Sequence, residues 1–382
     1  MKQKVKNLSI IDFFAGAGGL SLGALRAGFD LIGAIELDDR ALDTHTRNFP
    51  STHHFKIDLS KLSAHDICNS IKLKRKQLTG IIGGPPCQGF SIIGRRDECD
   101  VRNNLFMRFF EFIKELQPAF FVAENVLGIL DDRYKNIRDK AFENLSNVYT
   151  LLPAQIVKAN EYGAPTTRTR VFFVGYDKNK MAKLNEEDFV SAKVAASEQI
   201  RVRDALWGLP EDVSSFADGL CSILKSPQEN LNAKDTYAFR ERISGMIPMH
   251  AGDRHATERY RKHGVVSGCL PTKHSKEVMK RYSKLMYGQR DHVSKSMKLD
   301  PDGFCPTLCA GTGPERGSFQ AIRPIHYSTP RVITPREAAR LQGFPDWFDF
   351  HSTIWHSFRQ IGNSVSPIVA EKMLSVIYHK LT

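Results

Sequence analysis

From residue 8 to residue 174, short apolar runs rich in β-branched and aromatic residues alternate with stretches of helical periodicity. Few folds accommodate that alternation. Residues 8–15 read as a strand ending in Gly16-Ala17-Gly18-Gly19, and 20–27 as a helix. Residues 31–35 read as a strand closed by Glu36, 38–48 as a helix, 55–58 and 78–83 as strands, and 104–116 as an amphipathic helix. Strands follow at 119–123, 155–159 and 171–174, with a helix over 134–147 between the first two. Strands joined through helices build βαβ units and a mostly parallel sheet covered on both faces, an α/β doubly wound architecture. The unbroken apolar run Ala119-Phe120-Phe121-Val122-Ala123 fits a strand buried on both sides.

The pattern degrades after about residue 185. Glycine, proline and basic residues take over until helical periodicity returns at 335–342 and 367–381. A chain of 382 residues exceeds most single cores. This reading places a first domain at 1–185, completed by 335–382, and a smaller irregular domain at 186–334. The net charge of +12 favours polyanionic partners. Residues 240–300 hold 14 Lys/Arg against 6 Asp/Glu, a local +8 that suits either a solvated basic surface or, in the sharper reading, a nucleic-acid-binding one. No apolar run approaches the ~20 residues of a membrane helix, and the basic start, Met1 to Lys6, lacks the apolar core of a signal peptide. A cytoplasmic protein is expected. The seven cysteines are odd in number and scattered, which predicts free thiols rather than a disulfide framework. Cys305 and Cys309 have no second ligand pair at zinc spacing, so no metal is expected.

Three features carry chemistry. The Gly16-x-Gly18-Gly19 turn lets a ligand approach backbone closely, and Glu36 ends the next strand, where a carboxylate can accept ribose hydroxyls. Asp58, after the third strand, is placed for an adenine amino group. These residues suit a nicotinamide enzyme as well as an adenosylmethionine enzyme. Second, Gly83-Gly84-Pro85-Pro86-Cys87-Gln88 follows a buried strand, so a thiol sits on a proline-stiffened loop at the ligand-binding edge of the sheet. Third, Glu124 ends the strand over 119–123 at the same edge. A desolvated carboxyl there suits proton donation. Arg168 and Arg170 alternate before the strand at 171–174 and can orient Glu124 or hold a base carbonyl.

Together these blocks resemble the DNA cytosine-5 methyltransferase family, and the match runs nearly end to end. Phe14-Ala15-Gly16-Ala17-Gly18-Gly19 resembles the family's cofactor turn, Pro85-Pro86-Cys87-Gln88 its catalytic loop and Glu124-Asn125-Val126 its glutamate motif. Arg168 and Arg170 match its paired arginines, residues 336–345 the block after its recognition domain, and Gln360-Ile361-Gly362-Asn363-Ser364-Val365 its last block. One position departs: Thr166 stands where the family usually has Gln.

The resemblance implies a Rossmann-like methyltransferase domain plus a target-recognition domain. It implies S-adenosylmethionine as cofactor, held by Phe14, Ala15, Gly16, Gly18, Gly19, Leu20, Glu36, Asp58, Pro86, Asn363 and Val365, with S-adenosylhomocysteine as product. Cys87 would attack carbon 6 of a flipped-out cytosine in double-stranded DNA. Glu124 would hydrogen-bond the ring, Arg170 the base carbonyl, and Arg168 would brace Glu124. Arg95, Arg96 and Arg102 lie on a loop that would close over the base. The implied setting is a bacterial restriction-modification system, the enzyme acting as a monomer with a companion endonuclease reading the same site. The rival readings are an RNA cytosine methyltransferase and a non-catalytic DNA-binding protein on the same scaffold.

Overall fold

The computed structural model describes residues 8–70, 78–86, 103–143, 145–216, 218–223, 234–245, 247–310 and 323–382. Its main sheet contains β1 (Ser9–Phe13), β2 (Asp30–Glu36), β3 (His53–Lys56), β4 (Gly80–Gly83), β5 (Phe120–Asn125), β6 (Thr150–Leu151), β7 (Gln155–Lys158) and β8 (Thr169–Tyr176). The strand order is β3-β2-β1-β4-β5-β8-β6, and β7 also pairs with β8. From β3 to β5 every pairing is parallel. β8 runs antiparallel to β5, and β6 and β7 run antiparallel to β8, so one edge of the sheet is a mixed extension. The order reverses between β1 and β4, and the crevice at such a switch point is where open α/β sheets bind ligands.

Helices α1 (Gly19–Ala27), α2 (Asp39–Asn48), α3 (Ala64–Ser70), α4 (Asn103–Leu116) and α5 (Lys135–Glu143) connect these strands. Adjacent residues of a strand face opposite ways. Thus Ile81 of β4 joins a cluster with Phe109, Phe112 and Ile113 of α4, whereas Ile82 joins one with Leu22 and Ala24 of α1. Both faces are covered, as the sequence predicts.

After β8 come α6 (Glu186–Val190), α7 (Val202–Leu206), β9 (Cys221–Ser222), α8 (Lys234–Ser244), α9 (Arg254–His263), β10 (Val265–Val266) and α10 (Lys276–Ser283). Then follow α11 (Pro335–Gln342), α12 (Ile354–Asn363) and α13 (Pro367–Leu381). The region after 185 is therefore more helical than its composition suggests. Helix α9 is capped at both ends, by the Asp253 side chain on the Ala256 amide and by left-handed Gly264. Next to α10 the chain folds back on itself: the Gly288 amide donates to the Lys298 carbonyl, and Arg290 bridges Met297. Buried Asp291 stiffens that turn by pairing with Arg281 at 2.5 Å.

The expectation of free thiols fails for two cysteines. Cys221 and Cys269, 48 residues apart, form a disulfide. Strand pairing sets Val266 opposite Cys221, and the Cys269 amide donates to the Gly219 carbonyl, which brings the two Cα atoms to 6.0 Å. Sequence spacing carries no trace of that proximity. Cys305 and Cys309 are free, while Cys87 and Cys99 lie outside the described residues. No helix among the described residues is long and apolar enough to cross a membrane.

The last helix closes the first unit. A Cβ built on Gly23 of α1 would lie 2.3 Å from the Ala370 Cβ and 2.6 Å from the Glu371 amide nitrogen of α13. Carbon atoms pack at about 3.5–4 Å, so this crossing exists only because position 23 lacks a side chain. Gly23→Ala gains about 1 kcal/mol of helix propensity but forces two backbones apart, at a cost of about 1–3 kcal/mol. We expect net destabilisation in a urea melt. A variant as stable as the wild type would show that the crossing does not depend on Gly23.

Candidate active site

The turn after β1 needs unusual backbone. Phe14, Gly16 and Gly18 have φ of 59°, 57° and 103°. A Cβ on Gly18 would fall 2.2 Å from the Phe49 ring, whereas one on Gly16 would meet nothing within 4 Å. Gly18 is therefore glycine for packing, and Gly16 faces open space. The Ala15 amide donates to Ile35 at the end of β2, and the Gly18 amide donates back to Ala15. Helix α1 then starts with no side-chain cap. Uncapped helix amides at a glycine turn suit a ligand carrying acceptor groups.

Glu36 organises this turn from β2. Its Oε2 accepts the Gly16 amide at 2.8 Å, and its Oε1 accepts the Leu37 and Asp38 amides at 2.7 and 2.8 Å. Burial pushes its carboxyl above the usual range, and the three amides oppose that shift. Asp58 lies two residues beyond β3, in a turn that its own side chain caps. Its Oδ1 accepts the Ser60 amide and hydroxyl at 3.1 and 2.6 Å, which holds its carboxyl below the usual range, and Lys61 lies 3.4 Å from its Oδ2.

The C-terminal block reaches the same place. A Cβ on Gly19 would be 2.2 Å from the Val365 carbonyl oxygen, so Val365 sits directly on the start of α1, with Leu20 buried beside it. Asn363, at the end of α12, is exposed.

The loop after β4 leaves the sheet between this turn and β5. The Gly84 amide donates to the Phe13 carbonyl at 3.3 Å, and the Pro85 carbonyl accepts Asn125 Nδ2 at 3.3 Å. Pro86 is half-buried; Cys87, Arg95, Arg96 and Arg102 lie outside the described residues. Asn125 is thus an anchor for the loop, a role that its place in the glutamate motif does not announce. Its position directly after a buried carboxylate on an apolar strand is the one signal of it in the sequence.

Glu124 is buried near the end of β5, and its Oε2 lies 3.5 Å from where a Cβ on Gly84 would be. The carboxylate thus stands over the root of the cysteine loop. Arg170 Nε lies 2.9 Å from Glu124 Oε1, yet the contact is not aligned as a hydrogen bond, so Oε1 keeps acceptor capacity. Strand register explains the pair. Glu124 stands opposite Phe172, which makes Arg170 its diagonal neighbour on the same face.

This departs from the expected bracing of Glu124 by Arg168. Arg170, not Arg168, meets Glu124. Arg168, 3% exposed, sends Nη1 to the Leu308 carbonyl at 3.4 Å. The chain has not yet entered β8 at Arg168 and is bonded to a different segment there: Thr166 Oγ1 donates to the Cys305 carbonyl at 2.9 Å, and the Cys305 amide donates to Pro165. Thr166, the departure from the family pattern, is fully buried in this junction.

Known proteins resemble this chain over nearly its whole length. The model of the C-5 cytosine-specific DNA methylase family matches residues 8–379. The type II methyltransferase M.XorII of Xanthomonas oryzae pv. oryzae is 35% identical over 366 residues, covering 94% of this chain and 82% of its own. M.DdeI of Desulfomicrobium norvegicum is 33% identical over 388 residues, covering 96% and 87%. Among solved structures, a prophage-encoded E. coli protein named as a DNA modification methyltransferase superposes with a TM-score of 0.85 at 46% identity, covering 98% of this chain and 99% of its own. The S. pombe Dnmt2 methyltransferase shares the fold, with a TM-score of 0.64 at 19% identity over 98% of this chain and 100% of its own. The glycine turn, the loop rooted at Gly84 and the Glu124–Arg170 pair meet at one sheet edge, and the chain that builds them belongs to the C-5 cytosine-specific DNA methylase family.

Proposed function

We propose that this protein methylates carbon 5 of a specific cytosine in double-stranded DNA, through a covalent adduct of Cys87 with carbon 6. The observation that carries the reading is the buried Glu124–Arg170 pair held over the root of the Cys87 loop, in a chain matched to the DNA methylase family from 8 to 379. S-adenosylmethionine fits the turn: Gly16 faces open space, the first amides of α1 have no side-chain cap, and Asn363 is exposed beside Val365. Phe14, Ala15, Gly16, Gly18, Gly19, Leu20, Glu36, Pro86, Asn363 and Val365 would hold it, and when bound it supplies an electrophilic methyl group. Asp58 would join them: Ser60 occupies its Oδ1, and Oδ2 keeps acceptor capacity for the adenine amino group.

The chain's own residues do the rest. Cytosine carbon 5 is a weak nucleophile. Addition of the Cys87 thiolate to carbon 6 breaks the aromaticity and makes carbon 5 enamine-like. A protonated Glu124 donates a hydrogen bond to ring nitrogen 3 as charge develops there, with Arg170 Nε 2.9 Å from its other oxygen holding the side chain in place. Arg168 holds the arginine loop against Leu308. After methyl transfer, loss of the carbon-5 proton expels the thiolate. The base must leave the duplex to reach this site, at a cost of roughly a few kcal/mol. Residues 186–334 are the recognition region that offsets that cost by gripping phosphates and reading base edges. The relatives named as type II methyltransferases support a restriction-modification setting; in this reading a cytoplasmic monomer protects DNA from a companion endonuclease.

Two experiments test this reading. In a labelled-methyl assay on duplex DNA, Cys87→Ser should abolish turnover, and Glu124→Gln should lower it by about 10²–10⁴-fold, with cofactor affinity little changed in both. Label entering RNA but not duplex DNA would overturn the substrate, and turnover by Cys87→Ser would overturn the nucleophile. Separately, Arg290→Ala combined with Lys295→Ala, on the exposed turn next to α10, should weaken DNA binding. Its dependence on log salt should become shallower by about one unit for each phosphate no longer neutralised. An unchanged slope would remove that turn from the DNA interface.

A further inference from the structure

Beneath the cofactor turn runs a buried chain of four side chains that the methyl-transfer chemistry does not use. Ser21 Oγ lies 2.6 Å from Asp12 Oδ2, His45 Nε2 lies 2.9 Å from Ser21 Oγ, and His54 Nε2 lies 2.8 Å from His45 Nδ1. One residue comes from each of β1, α1, α2 and β3. Asp12, Ser21 and His45 are fully buried, while His54 is half-buried at the outer end. The chain touches the turn itself: a Cβ on Gly18 would meet the His45 ring at 3.2 Å, and that ring stacks on Phe49 at 4.3 Å between centroids.

Hydrogen-bond logic gives this chain two directions. With Asp12 ionised, Ser21 must donate to it. Ser21 then accepts from His45 Nε2–H, and His45 Nδ1 accepts from His54. With Asp12 protonated, every donor and acceptor can reverse. The inner imidazole stays neutral in both states, because burial holds His45 well below its usual range. Burial pushes the Asp12 carboxyl up to about 7, against the Ser21 hydrogen bond and with the charge of Glu36 adding to it. Among the described residues, the titratable groups facing the chain are Glu36 at the end of β2, itself beside Asp38 at the start of α2, and His53 beside His54 on β3; β4, on the other side of β1, is Gly80-Ile81-Ile82-Gly83 and contributes none. Asp12 Oδ1 has no hydrogen-bond partner among the described residues.

We propose that Asp12, acting through Ser21 and His45, is a positioning group for the cofactor turn, and that its proton, relayed toward His54, sets how tightly the turn binds S-adenosylmethionine. The proposal rests on the assignment of this turn as the cofactor pocket. Ionised Asp12 places a negative charge below the turn and pulls every donor of the chain inward, which favours a cationic sulfonium ligand over Gly16–Gly19. Affinity therefore rises with pH.

The test is calorimetric binding of S-adenosylmethionine to the full chain without DNA, at pH 6 and pH 8. Wild type should bind roughly fivefold or more tightly at pH 8. Asp12→Asn, which can still accept from Ser21, should bind with no pH dependence. Ser21→Ala and His45→Phe should weaken binding and raise KM for the cofactor, with kcat at saturating cofactor and DNA affinity unchanged within about twofold, and Ser21→Thr should restore binding. If Ser21→Ala does not fold, as read by its melting curve, His45→Gln serves for the same comparison. Equal affinity at the two pH values in wild type, or wild-type binding by the relay variants, overturns the proposal. Glu36→Ala separates the two readings: undiminished binding in that variant sinks the pocket assignment itself, and the relay with it.

Discussion

The close approach of the chain's last segment to its first βα unit is the contact on which the active site depends. The Val365 carbonyl occupies the space of a side chain at Gly19, and α13 crosses α1 at Gly23. Both contacts need glycine, and both lie in the helix whose N-terminus follows the glycine turn. Without them α1 would lose its outer cover, and the turn would lose its contact with Val365. The unit built on the main sheet is therefore discontinuous: the chain leaves it after β8, and α13 comes back to pack on α1.

That return is fixed by buried arginines. Arg336, 2% exposed, donates to the carbonyls of Ser267, Pro345 and Phe348. Arg340 holds Asp346 through two hydrogen bonds and also donates to Trp207. Arg331 holds Glu337, keeping its carboxyl below the usual range despite complete burial. Burying so many charges is costly unless every partner is present. Here the partners are mostly backbone carbonyls, so the arrangement specifies one docking geometry rather than adding stability.

Much of this was legible in the sequence because the parallel strands are short, apolar and punctuated. The strand over 119–123, the glycine turn and the helices at 335–342 and 367–381 follow from composition and capping alone. The residues of the cofactor turn and the loop root fall together because successive parallel strands present their carboxyl ends at one edge. Three things were not legible. The pairing of Arg170 with Glu124 depends on which residue stands diagonal to Glu124, and register is a long-range property. The Cys221–Cys269 disulfide depends on a two-stranded pairing too short to show a period. The helix over 354–363 is broken up in sequence by polar and aromatic residues that find partners only in the folded protein, such as Gln360 on the Arg40 carbonyl.

The junction at Thr166 has a consequence for how such enzymes diversify. Its bonds to the 305–308 segment run mainly to main-chain atoms: Cys305 and Leu308 offer carbonyls, and Cys305 offers its amide. Arg336 likewise takes the Ser267 carbonyl. A socket that grips backbone does not inspect the side chains of what is plugged into it. The side chains at 305 and 308 can then change without loss of those bonds, while the arginine loop stays where it is.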